Sequence, residues 1–338
     1  MYYRQVAITG GAGFIGSSLA KRLINFGIKV VVIDNLSSGK IENLYSVIEH
    51  PNFTFIKEDL CNLSQDFDIL KGCDVVFHLA ANPDVRTGSS NTQVDFDNNI
   101  LATYNLLNNI KKNNYCKNII FTSTSAVYGD ATIIPTPETY GPLMPISLYA
   151  SSKLACESLI SAYSHMFGFR SAILRFANVI GPTSNHGVIF DFIQKLKKDS
   201  SCLEILGDGN QTKSYLYIDD CLDAILLDYN KLSVNRVNIF NVGSDDKINV
   251  FNIANTIFKE MNIQDTVRIR HKYPVNQGRG WIGDVKYMLL DTSKIKSVGW
   301  TAQYNSLQAV TKTVGTIFSL ETIKEIKLKN LETTYHDL

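Results

Sequence analysis

The sequence places a tyrosine and a lysine four residues apart, at Tyr149 and Lys153. Residues with this spacing share one face of a helix, so the phenol and the ammonium are predicted to lie side by side. A neighbouring positive charge favours phenolate and is expected to lower the pKa of Tyr149 from about 10 towards neutrality. Such a tyrosine could take a proton from a substrate hydroxyl. Because this spacing also arises by chance, it needs a second signal.

A glycine-rich turn near the start of the chain supplies that signal. A short apolar strand over residues 5–8 precedes Gly10, Gly13 and Gly16, and a helix is predicted over residues 17–26. Glycine lets the backbone turn tightly and approach a pyrophosphate, and the helix N-terminus offers free N–H groups to the phosphates. Asp34 ends the next strand, where a carboxylate binds both adenosine-ribose hydroxyls and repels a 2′-phosphate. The pattern predicts bound NAD rather than NADP.

A cluster of hydroxyl side chains forms a third candidate group, in the Thr-Ser-Thr-Ser run at residues 122–125. Such clusters commonly make turns in which the hydroxyls bond the backbone. Here the run directly follows an apolar strand, at the end where a cofactor is expected. We therefore interpret it as part of a catalytic site.

The elements that must position these groups alternate between strand and helix. Continuous apolar strands separated by helices predict an α/β fold, a doubly wound parallel sheet of Rossmann type, with ligands at the carboxyl ends of the strands. A smaller, interleaved C-terminal lobe is expected to bind substrate. The cofactor domain is predicted over residues 1–178, with 215–243 returning to it, and the substrate lobe over 179–214 and 244–338. Strands are predicted at 5–8, 30–33, 53–56, 75–79, 118–122, 170–176, 203–206 and 237–242, further helices at 96–113, 147–167, 188–198, 219–229, 250–261 and 305–318, and a Lys-rich amphipathic helix and tail from Glu321.

Composition narrows the possible partners. The formal net charge is +1, without basic blocks, so nothing indicates nucleic acid or an acidic membrane surface. No apolar run reaches 18 residues and no signal-peptide pattern is present. The six cysteines are scattered rather than paired as in metal or redox motifs. A cytoplasmic protein without a metal site is expected.

Taken together, these motifs resemble the extended short-chain dehydrogenase/reductase superfamily, in its nucleotide-sugar epimerase/dehydratase branch, and most of all the UDP-galactose 4-epimerase group. The similarity covers nearly the whole chain. Besides the segments above, it includes His78-Leu79-Ala80-Ala81, residues 175–182, Leu206-Gly207-Asp208-Gly209, Tyr215 to Asp220 and Gly283-Asp284. It implies NAD as cofactor, a nucleotide-diphosphate sugar as substrate, and a homodimer built on helices 96–113 and 147–167.

The resemblance also implies a role for individual residues. His78 has no catalytic role in it and is expected to be a packed strand residue. The catalytic residues would be Thr124, Tyr149 as base and Lys153 as its partner. The cofactor would be held at its pyrophosphate by Gly10, Gly13, Phe14, Ile15 and Gly16, at its adenosine ribose by Asp34 and Asn35, at its adenine by Asp59 and Leu60, and along the path to the nicotinamide by Ala80, Ala81 and Asn99. Lys153 would also hold the nicotinamide ribose, and Tyr149 would also contact the cofactor. The substrate would contact Thr124, Asn178, Val188, Lys213, Tyr215 and Arg279.

The residues after Thr124 discriminate among the reactions of such enzymes. Related dehydratases place an Asp-Glu pair there and related decarboxylases a Glu, whereas this chain has Ser125 and Ala126. Epimerisation through a transient 4-keto sugar is therefore favoured. A 4-dehydrogenase that releases the keto sugar, or a non-catalytic NAD-binding regulator, remain the alternatives. Two departures concern substrate binding, because Lys213 and Trp281 stand where the family usually has arginine, with Arg279 two residues before Trp281.

Overall fold

The computed structural model describes residues 3–320, except 64–67, 69, 115, 228–234, 276 and 277. Its main sheet has seven parallel strands in the order β11-β6-β5-β4-β1-β2-β3. The predicted doubly wound α/β fold is confirmed. In chain order, the strands are β1 (Gln5–Thr9), β2 (Lys29–Asp34), β3 (Phe53–Lys57), β4 (Val75–His78), β5 (Asn118–Thr124), β6 (Arg170–Phe176), β7 (Asn178–Ile180), β8 (Cys202–Leu206), β9 (Thr212–Lys213), β10 (Tyr215–Tyr217), β11 (Val237–Val242), β12 (Ile248–Asn249), β13 (Arg268–Lys272) and β14 (Tyr287–Met288).

Apolar side chains on both faces of the main sheet explain why its strands are so uniformly hydrophobic. In β1, Val6 and Ile8 belong to one core cluster, whereas Ala7 belongs to the cluster on the other face. The same alternation holds in β2, where Val32 and Ile33 face opposite clusters. A strand that is covered on both faces has no solvent-exposed side, so it carries apolar residues at successive positions.

Helices cover both faces of the sheet, and one of them differs from its prediction. The predicted helix over residues 96–113 has a π-helical first part (Phe96–Leu101), and only Ala102–Asn113 is regular α-helix. The helix predicted over 17–26 begins three residues earlier. The helices are α1 (Phe14–Asn25), α2 (Gln93–Asp95), α3 (Ala102–Asn113), α4 (Leu148–Phe167), α5 (Val188–Lys198), α6 (Ile218–Ile225), α7 (Val250–Glu260), α8 (Ser293–Ser297) and α9 (306–320).

Smaller sheets from the second half of the chain lie beside the carboxyl ends of the main strands. β10 pairs with β7, β9 lies between β12 and β14, and β13 pairs with β8. The predicted helix 219–229 is too long, because α6 ends at Ile225 and the next two residues lie outside it. The predicted tail from Glu321 lies outside the described residues. Across the part of the chain that is described, no helix is both long and apolar enough to cross a membrane.

Candidate active site

A cavity of about 600 Å³ lies at the carboxyl ends of the central strands. It brings together side chains that are far apart in the sequence, from both halves of the chain. The predicted site residues on its wall are Gly10, Gly13, Phe14, Ile15, Gly16, Asp34, Ala81, Thr124, Tyr149, Lys153, Asn178, Val188, Lys213 and Tyr215. A smaller adjoining cavity of about 50 Å³ is lined by four more, Asn35, Asp59, Leu60 and Ala80.

The turn between β1 and α1 requires glycine at two positions. Gly10 has a φ of +70°, and a Cβ there would lie 2.7 Å from the backbone nitrogen of Ala80. A Cβ on Gly16 would collide with the carbonyl oxygen of Gly10. Gly10, Gly13 and Gly16 all line the large cavity, so the turn brings backbone and the N-terminus of α1 against it. This is the geometry that a pyrophosphate needs.

Asp34 is held in place by the turn that it faces. Its Oδ2 accepts a hydrogen bond from the backbone N–H of Ala12 at 2.9 Å, and its Oδ1 accepts one from Leu36 at 2.8 Å. Burial raises the pKa of this carboxyl group, while the two backbone hydrogen bonds act in the opposite direction. The carboxylate still borders both cavities, as a group that binds ribose hydroxyls must.

The three candidate catalytic residues come from β5 and α4, which are neighbours in the fold. Thr124 ends β5, and its Oγ1 accepts a hydrogen bond from the backbone N–H of Ala126 at 3.1 Å. Tyr149 and Lys153 lie in the first turns of α4, which begins after the N-cap Ser147. All three side chains line the large cavity, so the structure brings the predicted catalytic group together beside the glycine turn.

The prediction that Tyr149 has a lowered pKa is wrong for the environment in this structure. Burial, together with the negative charge of Asp95, raises the pKa of Tyr149 to about 12. Lys153 does not compensate, because its Nζ donates to the carbonyl oxygen of Thr122 at 2.9 Å and lies 4.6 Å from the ring centre of Phe121. Burial also lowers the pKa of Lys153, to about 8.

Two predicted site residues do not line either cavity. Asn99 is 1% exposed in the π-helical turn, where its Oδ1 accepts from the backbone N–H of Asn82 and its Nδ2 donates to Ser152. These hydrogen bonds connect the loop after β4 to α4. Arg279 binds the carboxylate of Asp130, at 2.9 and 3.1 Å, and the carbonyl oxygen of Asp284.

The remaining predicted substrate residues lie on the wall of the large cavity. The Nζ of Lys213 forms a 2.6 Å ion pair with Asp284, whose side chain is 2% exposed. Asn178 donates to the carbonyl oxygen of Ser214 at 3.3 Å. Burial raises the pKa of Tyr215. Val188 begins α5, so this wall combines an amide, a paired ammonium and a helix N-terminus.

A buried ion pair beneath the catalytic residues was not predicted. Glu157 and Arg175 have side chains only 4% and 3% exposed, and two hydrogen bonds of 3.0 and 2.6 Å join them. Glu157 also accepts from Ser123, and Arg175 donates to the hydroxyl of Tyr128 at 2.9 Å. The network ties α4 to the ends of β5 and β6. The sequence contains one signal that could have indicated this ion pair. Glu157 follows Lys153 by four residues, so the two side chains share one face of α4.

His78 has the structural role that the sequence indicates. Its ring nitrogens lie 2.7 Å from the hydroxyl of Thr9 and 2.8 Å from that of Thr103, and it is 1% exposed. Burial lowers the pKa of His78 to about 3, so the ring is neutral near pH 7. In the residues that the structure describes, no cluster of His, Cys, Asp or Glu could hold a metal ion.

Comparisons with known proteins agree with this arrangement. A family model described as "NAD dependent epimerase/dehydratase family" matches residues 6–243. A putative UDP-glucose 4-epimerase from Methanocaldococcus jannaschii is 33% identical over 91% of this chain and 97% of its own. A crystal structure of UDP-galactose 4-epimerase superposes with a TM-score of 0.80 at 38% identity, covering 94% of this chain and 99% of the other. For UDP-glucuronic acid 4-epimerase from Bacillus cereus, solved with UDP-glucuronic acid and NAD, the TM-score is 0.83 at 28% identity. The match covers 94% of this chain and 99% of the other.

Proposed function

Because the chain belongs to the NAD-dependent epimerase/dehydratase family, we propose that it epimerises a nucleoside-diphosphate sugar at C4, through a transient 4-keto intermediate. The observation that carries the proposal is the shared cavity. Its wall contains Thr124, Tyr149 and Lys153 as well as the glycine turn and Asp34. A substrate hydroxyl at these side chains would be within reach of the cofactor. The relatives named above are 4-epimerases of UDP-sugars, which supports this substrate class.

NAD is the family's cofactor, and the residues of this chain fit it. The N-terminus of α1 borders the cavity, because Gly10, Gly13 and Gly16 all line it. In this proposal the turn holds the pyrophosphate, Asp34 the adenosine ribose, and Lys153 the second ribose. When bound, NAD supplies the hydride acceptor and the positive charge of its oxidised ring.

Tyr149 is the general base in this proposal. It takes the proton from the O4 hydroxyl as the hydride leaves C4, and returns it when the hydride comes back to the other face of the sugar. Without a bound cofactor the pKa of Tyr149 is about 12, so only a small fraction of the side chain is phenolate near pH 7. The positive charge of the oxidised nicotinamide ring would favour the phenolate form. Thr124 donates a hydrogen bond to the same substrate oxygen.

The residues beside Thr124 argue against elimination or decarboxylation. Ser125 is 8% exposed and is followed by Ala126, so no carboxylate follows Thr124 directly. A 4,6-dehydratase needs an acid and a base at the sugar in addition to the hydride relay. An epimerase needs neither, because oxidation and reduction occur at the same carbon. The absence of a charged group at these two positions therefore supports the simpler reaction.

Substitution of Tyr149 by Phe tests the proposal. Native mass spectrometry of the purified protein with UDP-, GDP- and CDP-sugars first identifies a substrate that binds. With that sugar, Tyr149→Phe should slow reduction of the bound cofactor by about 10²–10⁴-fold, read at 340 nm in a single turnover. Its affinity for the sugar should change little, because phenylalanine keeps the packing of the ring.

Tyr128→Phe is the matched control. The hydroxyl of Tyr128 is used by Asn241 and Arg175, and the residue is 3% exposed. This variant should keep its cofactor-reduction rate within a few-fold of the parent. A Tyr149→Phe protein that reduces its cofactor at the parental rate would show that another group is the base. A parent that accumulates NADH and 4-keto sugar without forming the epimer would instead be a 4-dehydrogenase.

A further inference from the structure

A row of exposed cations lies on strand β13, outside the site described above. The strand reads Arg-Ile-Arg-His-Lys, and Arg268, Arg270 and Lys272 are all exposed. Alternate residues of a strand point to the same face, so these three side chains form one row, which we call the basic strip. β13 pairs with β8 in a sheet of two strands, and β8 contributes a single charged residue, Glu204.

The positive charge of the basic strip is only partly neutralised. Arg270 donates to Glu204 at 3.1 Å, but its side chain is 70% exposed. Arg268 and Lys272 have no ion-pair partner in the part of the chain that the structure describes. Successive cations on one face of a strand lie about 7 Å apart and repel each other, so the row does not stabilise the fold. Three cations against one carboxylate leave this face positive.

The basic strip begins beside the large cavity. Lys272 pairs in register with Leu206 of β8, and Leu206 lines the cavity. Neighbouring strands lie about 5 Å apart, and paired residues point to the same face. Lys195 also lines the cavity while its side chain is 36% exposed, and its Nζ donates to the carbonyl oxygen of Glu204 at 2.9 Å. The cavity therefore reaches solvent beside β8, next to the basic strip.

We propose that the basic strip attracts the anionic substrate to the cavity and raises its rate of association, without contacting the substrate once it is bound. This inference rests on the proposed function, since a nucleoside-diphosphate sugar carries negative charge on its diphosphate. Charges that border a cleft raise the association rate of ligands of opposite sign. The three side chains line neither cavity, which suits a role in approach rather than in binding.

The distance from the cavity predicts how much each cation contributes. Lys272 is nearest to the cavity, and Arg270 and Arg268 lie about 7 and 14 Å further along the strand. Salt screens charges over about 8 Å at physiological ionic strength and over about 30 Å at 0.01 M salt. The effect of the basic strip should therefore be largest at low salt and should decrease from Lys272 to Arg268.

Stopped-flow binding measures the association rate directly. The NAD-loaded parent is first tested for binding of UDP, GDP and CDP, and the diphosphate that binds most tightly is then used in fluorescently labelled form. At 0.01 M salt, Lys272→Gln should lower the association rate constant about threefold, and replacing all three cations by Gln about tenfold. At 0.5 M salt, every variant should associate within about 1.5-fold of the parent. The dissociation rate constant should change less than about twofold at either salt concentration.

Two control variants separate the charge of the basic strip from other effects. Lys272→Arg keeps the positive charge, so its association rate constant should stay within about 1.5-fold of the parent. Lys29→Gln removes a lysine from the exposed first position of β2, at the opposite end of the main sheet from the cavity. It should also stay within about 1.5-fold, although it changes the net charge as much as Lys272→Gln does.

The outcomes distinguish this inference from the proposed function. If the parent binds none of the three diphosphates, the proposed substrate class fails and the inference fails with it. If the parent binds one of them and the triple variant associates at the parental rate, only the inference is wrong. A loss that persists at 0.5 M salt, or that appears in the dissociation rate, would show direct contact with the ligand and would also overturn the inference. Equal slowing in Lys29→Gln would overturn it too, because net charge rather than the basic strip would be responsible.

Discussion

Replacing Lys153 with methionine is expected to stabilise the fold while it removes a group to which we assign a catalytic role. Lys153 is 3% exposed, and burial lowers its pKa from the usual 10.5 to about 8. At about 1.4 kcal/mol for each pKa unit, burial therefore disfavours the charged ammonium by about 3 kcal/mol. Methionine removes this cost but leaves the carbonyl oxygen of Thr122 without its donor, a loss of about 1 kcal/mol. The free energy of unfolding at pH 7 should rise by about 2 kcal/mol.

The size of this gain should depend on pH. At pH 7 the lysine is charged in both the folded and the unfolded chain, so the whole cost of burial applies. Above pH 8 the folded protein releases the proton while the unfolded chain keeps it, and the parent becomes more stable until about pH 10.5. At pH 9.5 a cost of about 1.4 kcal/mol remains. The advantage of Lys153→Met should then fall below about 0.5 kcal/mol.

Urea unfolding of both proteins at pH 7 and pH 9.5 measures these values. NAD must first be removed, because a ligand that binds only the folded state adds to its stability. The control is Lys29→Met, at the exposed first position of β2, which should stay within about 0.5 kcal/mol of the parent at both pH values. A Lys153→Met protein less stable than the parent at pH 7, or an advantage that does not shrink with pH, would refute the reasoning.

The remaining predictions concern the cofactor, the core and the assembly. Asp34→Asn keeps an acceptor for only one of the two backbone N–H groups and removes the charge, so competition binding should show NADP gaining about tenfold over NAD; an unchanged preference would contradict this role of Asp34. Glu157→Gln leaves Arg175 as an unpaired buried cation and should lower the free energy of unfolding by about 3 kcal/mol in urea, with partial recovery when Arg175→Met is added. Phe96 and Tyr104 are 50% and 44% exposed beside α4, so we expect a homodimer through these helices, and a sedimentation mass of one chain at micromolar concentration would disprove it.

The bounds of the central strands could be predicted to within one or two residues, because strands buried on both faces carry apolar residues at successive positions. A strand covered on both faces, such as β2 with residues 30–33 or β4 with residues 75–77, contains an unbroken apolar run that few other structures produce. The π-helical turn at Phe96–Leu101 could not be predicted in this way. It depends on the hydrogen bonds of Asn99 to Asn82 and Ser152, which are partners distant in the sequence.

The residue types at the candidate site could also be predicted, but not how the residues pair. The four-residue spacing correctly indicated that Tyr149 and Lys153 share a cavity. It could not show that the ammonium would bond the carbonyl oxygen of Thr122, or that burial would dominate the pKa of the phenol. Likewise, Lys213 and Asp284 are 71 residues apart, so their ion pair becomes visible only in the folded chain.

The position of β11 has a consequence for how the protein is made. This strand pairs with β6 at one edge of the main sheet, although β7 to β10 and helices α5 and α6 come before it in the chain. A growing polypeptide cannot complete the sheet until residue 242 has left the ribosome, by which time most of the substrate wall has also been synthesised. Until then, the β6 edge presents unpaired backbone groups that invite wrong partners. The cofactor-binding and substrate-binding regions therefore complete their folding almost together. Translation pauses between residues 180 and 240 would prolong the period in which the β6 edge is unpaired.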